Sequence, residues 1–243
     1  MSISALIRRM IIINNQSGHY MKSRVLLYHD LHDNTRYTNM STSLNLFKIH
    51  VEIIRSMGFC IVSEITKEEG QIQITFDDGF KGLFENIDII NKLNIPIKLF
   101  VISSFIGRNS YLNKNQLISL SKNSLIKIGS HTHTHRRLTT LSQDIIKYEL
   151  VYSKSLLEDI VDYSIDDLCY PEGKFNKKVI SISNDVGYVN QYSLIPGPFF
   201  LEVFKNVRRR SLVQHTIDKE LKAILRGGDD LLDTWYMKKH YKL

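Results

Sequence analysis

The chain has 243 residues, 43% of them hydrophobic, and its 32 Lys+Arg against 25 Asp+Glu give a formal net charge of +7. That is enough apolar chain to fill a sizeable core, which excludes a disordered protein, while a basic balance favours an anionic partner without specifying any chemistry. Twelve Gly and four Pro exclude a collagen-like or linker-dominated chain, and two cysteines, Cys60 and Cys169, cannot build a disulfide framework or a four-cysteine zinc site.

Arg8 and Arg9 precede an apolar run, Met10 to Ile13, that Asn14 and Asn15 end after four residues. A secretory signal needs roughly 7 to 15 apolar residues and a spanning helix about 20, so neither is expected. The start reads as a loosely attached segment over 1–23 in a cytoplasmic protein, or as an upstream start codon that hides an envelope protein beginning near Met21. From Arg24 onward, short apolar runs alternate with amphipathic stretches, the mark of an α/β protein. Val25 to Tyr28 reads as a buried strand ending at His29 and Asp30. Ser43 caps a helix with Phe47, Val51 and Ile54 on one face and Gly58 beyond its end. Gln71 to Phe76 reads as a second strand that stops at Asp77, Asp78 and Gly79.

A helix through Phe84, Ile87 and Ile90 follows, then Ile97 to Ile102, broken only by Lys98, as a strand covered on both faces. The next expected elements are a helix over Leu112 to Leu120, a strand over Leu125 to Ile128 that runs into His131, and a helix from Gln143 to Val161. A strand near Leu168 to Tyr170, a helix near Lys177 to Asn184 and a strand near Tyr188 to Ser193 complete the pattern. With no repeat and no linker, 24–243 reads as one domain. His29, Asp77 with Asp78, and His131 with His135 each follow directly on an apolar strand, which in a parallel barrel gathers them at one rim.

By itself, Thr75-Phe76-Asp77-Asp78-Gly79 reads first as a turn. Its two adjacent carboxylates nonetheless point in different directions, so one can bind a cation while the other accepts a proton. The segment Gly129-Ser130-His131-Thr132-His133-Thr134-His135 holds three of the nine histidines. Imidazole suits zinc and related ions, with His131 and His135 about a turn apart and His133 turned away or substituting for a neighbour. Two imidazoles and one carboxylate would leave an open site for a divalent ion and water with a spare acid beside it, the layout for metal-assisted hydrolysis.

These segments resemble the polysaccharide deacetylases, also called carbohydrate esterase family 4 or the NodB homology domain. Thr75 to Gly79 matches the family's first motif and His131 to His135 its second. Val25-Leu26-Leu27-Tyr28-His29, the run after Ile95-Pro96, Tyr111-Leu112 ahead of Gln116-Leu117, and Cys169 to Asn176 match in order, so the resemblance spans about Arg24 to His215. It implies a distorted (β/α) barrel. It also implies Asp78, His131 and His135 as metal ligands, most simply for Zn2+ with Co2+, Ni2+ or Fe2+ as alternatives, and Asp77 as general base. The third motif keeps Pro171 but carries Glu172 in the aromatic position, where its backbone N–H can still serve an oxyanion hole. It lacks the usual arginine, for which Arg210 is the candidate replacement. The late Leu-x-His motif is absent. Tyr28-His29-Asp30 resembles the start of the poly-N-acetylglucosamine deacetylase branch, which makes His29 the general acid and His215 the fallback.

The implied reaction removes N-acetyl, or O-acetyl, groups from an N-acetylated glycan or precursor. Two other readings compete: a catalytically silent carbohydrate-binding relative, for which Asp77 and three intact ligands would be needless, and an iron-dependent oxygenase, which would leave Asp77 without a role. Arg208-Arg209-Arg210 and the run Lys238 to Lys242 read as solvated basic faces. Tyr192, Phe199, Phe200 and Trp235 read as core or as a sugar platform. Nucleic acid is not an expected partner, Gly227-Gly228 lacks the lysine of a phosphate loop, and oligomeric state stays open.

Overall fold

The computed structural model describes residues 3–15, 20–202 and 204–241. Lys242 of the basic run, and 1–2 and 16–19 of the amino-terminal segment, lie outside the described residues. The strands are β1 (Arg24–Tyr28), β2 (Asp30–His32), β3 (Ser41–Ser43), β4 (Cys60–Ile61), β5 (Gln71–Phe76), β6 (Ile97–Val101), β7 (Ile126–Ser130), β8 (Asp167–Cys169), β9 (Asn190–Tyr192), β10 (Val207–Arg208) and β11 (Ser211–Leu212). The helices are α1 (Ile3–Asn14), α2 (Leu44–Ser56), α3 (Gly82–Glu85), α4 (Ile87–Leu93), α5 (Lys114–Ser121), α6 (Gln143–Val161), α7 (Lys177–Asp185), α8 (Asp218–Leu225) and α9 (Asp233–His240).

One sheet runs β10-β9-β8-β7-β6-β5-β1-β11 with β4 added beside β5, and every pairing in it is parallel. This is a parallel half-barrel with helices around it, in a single domain, as the apolar runs required. The sheet is open between β10 and β11, and the chain itself crosses that seam through Arg209 and Arg210.

Alternation along the strands separates two cores. Leu26, Tyr28, Ile74, Phe76, Leu99, Ile128 and Leu168 face the helices within the main cluster. Val25, Phe100, Cys169 and Tyr192 form a smaller cluster on the inner face with Ile65 and Phe199. Gly129 faces inward too, and a Cβ there would lie 2.7 Å from the Phe100 ring, so glycine is what lets that ring fill the interior. Below it, Lys98 is buried, its Nζ 2.8 Å from Asp167 Oδ2, 2.9 Å from Glu64 Oε1 and 2.9 Å from the Tyr192 hydroxyl.

Three expectations need correction. The stretch through Phe84 and Ile90 is two short helices, α3 and α4, because Asn86 leaves helical geometry between them. The arginine run is not a solvated face: Arg209 and Arg210 are buried where the chain crosses the seam, and Tyr192 and Phe199 are core while Phe200 and Trp235 are exposed. The amino-terminal segment is not loose, since α1 packs on α8, Ile12 is buried, and Arg8 and Arg9 both pair with the buried carboxylate of Glu220 at 3.2 and 2.8 Å. Four residues of apolar signal could not show this, because the partner carboxylate lies over two hundred positions away. Among the described residues no helix is long and apolar enough to cross a membrane.

Candidate metal and acid-base site

The period of two that builds the sheet also delivers the site. Registers pair Leu27 with Thr75 and Thr75 with Lys98, so these share the inner face. Two residues further on, just past the carboxyl ends of β1, β5 and β7 and at that of β8, the same face carries His29, Asp77, His131 and Cys169. Asp78 is out of step by one residue. Its left-handed backbone, φ 73° followed by Gly79 at φ 80°, swings its carboxylate back over the rim, where Oδ1 lies 3.4 Å from His131 Nε2 and 3.7 Å from His135 Nε2. The Asp-Gly pair makes a turn as expected, but one that leads into α3 instead of closing a hairpin.

The histidine loop is strained in the same way. Thr132 (φ 66°) and His135 (φ 60°) are left-handed, which is a rare state for a β-branched threonine and persists only where the surroundings impose it. Here they do: Thr132 donates its N–H to Ser130 Oγ at 3.1 Å, its Oγ1 accepts from the His135 N–H at 3.2 Å, and its carbonyl accepts from the Ser103 N–H at 3.2 Å. Buried Glu149 accepts from the Thr134 N–H at 2.7 Å and from its hydroxyl. His131 Nδ1 donates to the Cys169 carbonyl at 2.8 Å, which leaves a lone pair on Nε2, the nitrogen beside Asp78. His133 is turned away, its Nδ1 2.9 Å from Ser103 Oγ and its ring against Tyr152.

Two carboxylates in succession meet opposite surroundings. Asp77 is gripped by Arg210 through a two-pronged pair, Nη1 to Oδ1 at 2.7 Å and Nη2 to Oδ2 at 2.9 Å, and the Cys169 thiol lies 3.3 Å from Oδ2. Burial by itself would raise Asp77, but the Arg210 charge, His131, the Arg210 hydrogen bonds and His29 together outweigh it and hold the carboxyl well below the usual range. Arg210 is in turn fixed by the Ser193 carbonyl at 2.9 Å and Thr75 Oγ1 at 3.2 Å. Asp78 has no such cation: burial, then the Asp77 charge, raise it to about 7. Burial pushes His131 down to about 3 and also lowers His135. It lowers His29 as well, against the opposing pull of Asp77.

Among the described residues, two sets of donor atoms lie within 4.8 Å of one another, Asp78-His131-His135 and Asp77-His131-Cys169. The first fits a divalent cation: two neutral imidazoles with free lone pairs beside a buried carboxylate that lacks a counter-charge. The second does not, because Arg210 already neutralises Asp77 and lies 2.9 Å from Cys169 Sγ, and burial keeps that thiol protonated.

His29 Nδ1 lies 2.5 Å from Gln214 Oε1, and the ring is close enough to Asp77, Arg210 and His135 to feel their charges. His215 is exposed and faces the Asn39 carbonyl at 3.1 Å, away from this group. Glu172 has a left-handed backbone (φ 55°, ψ 14°), its side chain pairs with Arg137 at 2.7 Å and Lys174 at 3.3 Å, and its carbonyl accepts from His240 Nδ1 at 2.8 Å. Sequence reasoning missed Gln214 and Cys169 as neighbours of His29 and Asp77. Gln214 sits within Leu212-Val213-Gln214-His215, a stretch whose spacing does not match the Leu-x-His motif.

A family model described as polysaccharide deacetylase matches residues 64–190. The poly-beta-1,6-N-acetyl-D-glucosamine N-deacetylase of Staphylococcus aureus is 25% identical over 64% of this chain and 62% of its own length. The chain spans about half to two thirds of the curated relatives it matches. Among solved structures, IcaB from Ammonifex degensii superposes with a TM-score of 0.74 at 18% identity, covering 85% of this chain and 97% of that one. The Streptococcus pyogenes deacetylase PplD, solved with acetate, gives 0.73 at 19% identity, covering 82% and 96%. These likenesses share the fold described above.

Proposed function

Because the chain belongs to the polysaccharide deacetylase family, we propose that it is a metal-dependent hydrolase that removes N-acetyl groups from an N-acetylated glycan or glycan precursor. The observation that carries this is the pair of adjacent carboxylates in opposite states, Asp77 ionised against Arg210 and Asp78 facing two imidazoles. Asp78, His131 and His135 would hold the cation, which supplies polarisation of the acetamide carbonyl and a more acidic water.

Asp77 is the general base. Arg210 keeps it ionised and fixes its plane, and Oδ1, which accepts from Arg210 Nη1, retains a lone pair to take the proton of the attacking water, while Oδ2 accepts from both Arg210 Nη2 and the Cys169 thiol. The Glu172 N–H, turned by its left-handed backbone, donates to the oxygen that gains negative charge. Departure of the amine requires a proton on nitrogen, and His29 supplies it, oriented by the Gln214 carbonyl. Acetate and an amino sugar are the products. The Staphylococcus aureus relative makes β-1,6-linked N-acetylglucosamine oligomers the first substrate to try.

The test is acetate release from these oligomers with zinc or cobalt. Asp77→Asn lowers kcat by about 10² to 10⁴ with little change in KM, and His29→Ala lowers it by a similar order. Metal content separates the histidines: His131→Ala loses the bound ion, whereas His133→Ala keeps it. Equal acetate release by the wild type and Asp77→Asn, or unchanged metal in His131→Ala, refutes the assignment.

A further inference from the structure

Helix α1 is built inside out. Its cationic side chains turn toward the protein, Arg8 to Glu220 Oε1 at 3.2 Å and the Tyr236 hydroxyl at 3.2 Å, Arg9 to Glu220 Oε2 at 2.8 Å. Four of its described apolar side chains turn outward: Leu6, Ile7, Met10 and Ile11 are 39% to 57% exposed, against buried Ile12 and half-buried Ile13. A helix end docked only for its own packing would place these groups the other way round. The outward stripe continues onto neighbouring elements, because Ile7 and Ile11 line one groove with Leu232, Trp235, Tyr236 and Lys239. Trp235 is 54% and Leu231 66% exposed. Soluble domains rarely leave so many large apolar groups together in water.

The edge of the patch is basic. Lys238 and Lys239 close the last turn of α9, both are exposed, and Lys239 Nζ sits 5.0 Å over the Trp235 ring. Lys219 and Lys222 are exposed on α8, the helix on which α1 rests. Apolar side chains and a tryptophan rimmed by lysines match the boundary of a bilayer, where acyl chains meet headgroups. With a chain charge of +7, the complementary headgroup is anionic. A second copy of the chain is the poorer occupant, since a symmetric contact would set the same lysines against one another. At 12 residues, α1 is too short to cross and is suited to lie in the surface.

We propose that the outward face of α1, with Trp235 and the lysines of α9, seats the protein on an anionic membrane surface. The same helix braces the rim of the candidate site, because Arg8 reaches the Leu212 carbonyl and Arg9 the His215 carbonyl, both at 3.4 Å, on either side of the Gln214 that holds His29. Membrane seating would thus keep the site beside glycan that is attached to, or emerging at, that surface.

The chain's single tryptophan reports on the contact. Titration with vesicles of phosphatidylcholine and phosphatidylglycerol in equal parts shifts Trp235 emission to the blue and carries the protein up a flotation gradient. Phosphatidylcholine alone does neither, and high salt reverses the binding. Leu6→Glu/Met10→Glu weakens partition by more than about tenfold, and Lys238→Ala/Lys239→Ala by about fivefold per lysine, while acetate release from a soluble oligomer is unchanged in both. If the first pair loses its far-UV circular dichroism, Trp235→Ala, on a different helix, carries the same flotation test with a loss of about fivefold. Absence of wild-type flotation, or equal flotation of wild type and Leu6→Glu/Met10→Glu, overturns the proposal. So does a wild-type dimer that sediments as a monomer in that variant without any vesicle binding, which would make the face a self-contact.

Discussion

At the scale of single residues, the pair Asp77-Arg210 carries the sharpest expectations. Arg210→Lys keeps a charge but loses the two-pronged geometry, so kcat falls by about 10² with the fold intact. Arg210→Met leaves Asp77 buried without its cation, at about 3 to 5 kcal/mol of stability in urea denaturation. Because Asp77 then binds its proton more tightly, the acid limb of the rate profile moves to higher pH. His29, Asp77 and His131 were legible because each follows a strand directly and alternation carries it inward, whereas Asp78 and His135 reach the rim through left-handed backbone in the turns that follow. Arg210 was legible only through resemblance to the family's late arginine, since nothing local says that a residue 133 positions from Asp77 will meet it.

Asp30 is a second residue-level case. It is buried beside Gly82, neither carboxylate oxygen has a hydrogen-bond partner of ordinary geometry, and burial raises its pKa from 3.8 to about 7. Between those values the folded chain holds a proton that the unfolded chain releases. The Asp30 contribution to stability is therefore greatest below about pH 4, falls as pH rises through the window, and levels off above about pH 7. Asp30→Asn removes its share of that slope, leaving the share of Asp78, and stabilises the protein at pH 8 by about 2 to 4 kcal/mol, measured by urea denaturation at both ends of the range. An unchanged slope would mean that Asp30 ionises freely.

At the scale of elements, the strands and longer helices follow from periodicity, and the departures have local causes. Asn86 divides α3 from α4, and the amino-terminal run is held as a helix on α8, where Glu220 meets two arginines. Glu220→Ala therefore frees α1. Hydrogen exchange in α1 rises by about tenfold or more, and exchange in β5 to β7 stays as in the wild type. Matching protection of α1 in both proteins would show that apolar packing through Ile12 is sufficient by itself.

At the scale of the whole molecule, the half-barrel is plugged from within at the end opposite the site. Lys98 meets buried Asp167 at 2.8 Å and Glu64 at 2.9 Å, and burial by itself would lower its pKa, yet Tyr192, Asp167 and Glu64 outweigh that and hold the charge on. Lys98→Met strands Asp167 in the interior and costs about 3 to 5 kcal/mol in chemical denaturation. Lys98→Met/Asp167→Leu, with both charges gone, recovers most of that loss. If both variants melt together with the wild type, the plug is mechanically idle.

Everything short in range could be read along the chain: the α/β alternation, the strand ends, and through them His29, Asp77 and His131 on one rim. Those follow from repeating patterns of two and about three and a half residues, which a reader of the chain can count. Tertiary structure alone decided that the sheet opens at Arg209 and Arg210, that Arg210 closes on Asp77 and Gln214 on His29, and that α1 turns its arginines inward. Each of these joins residues far apart in the chain, where the energy of a contact depends on burial and geometry that no local pattern encodes.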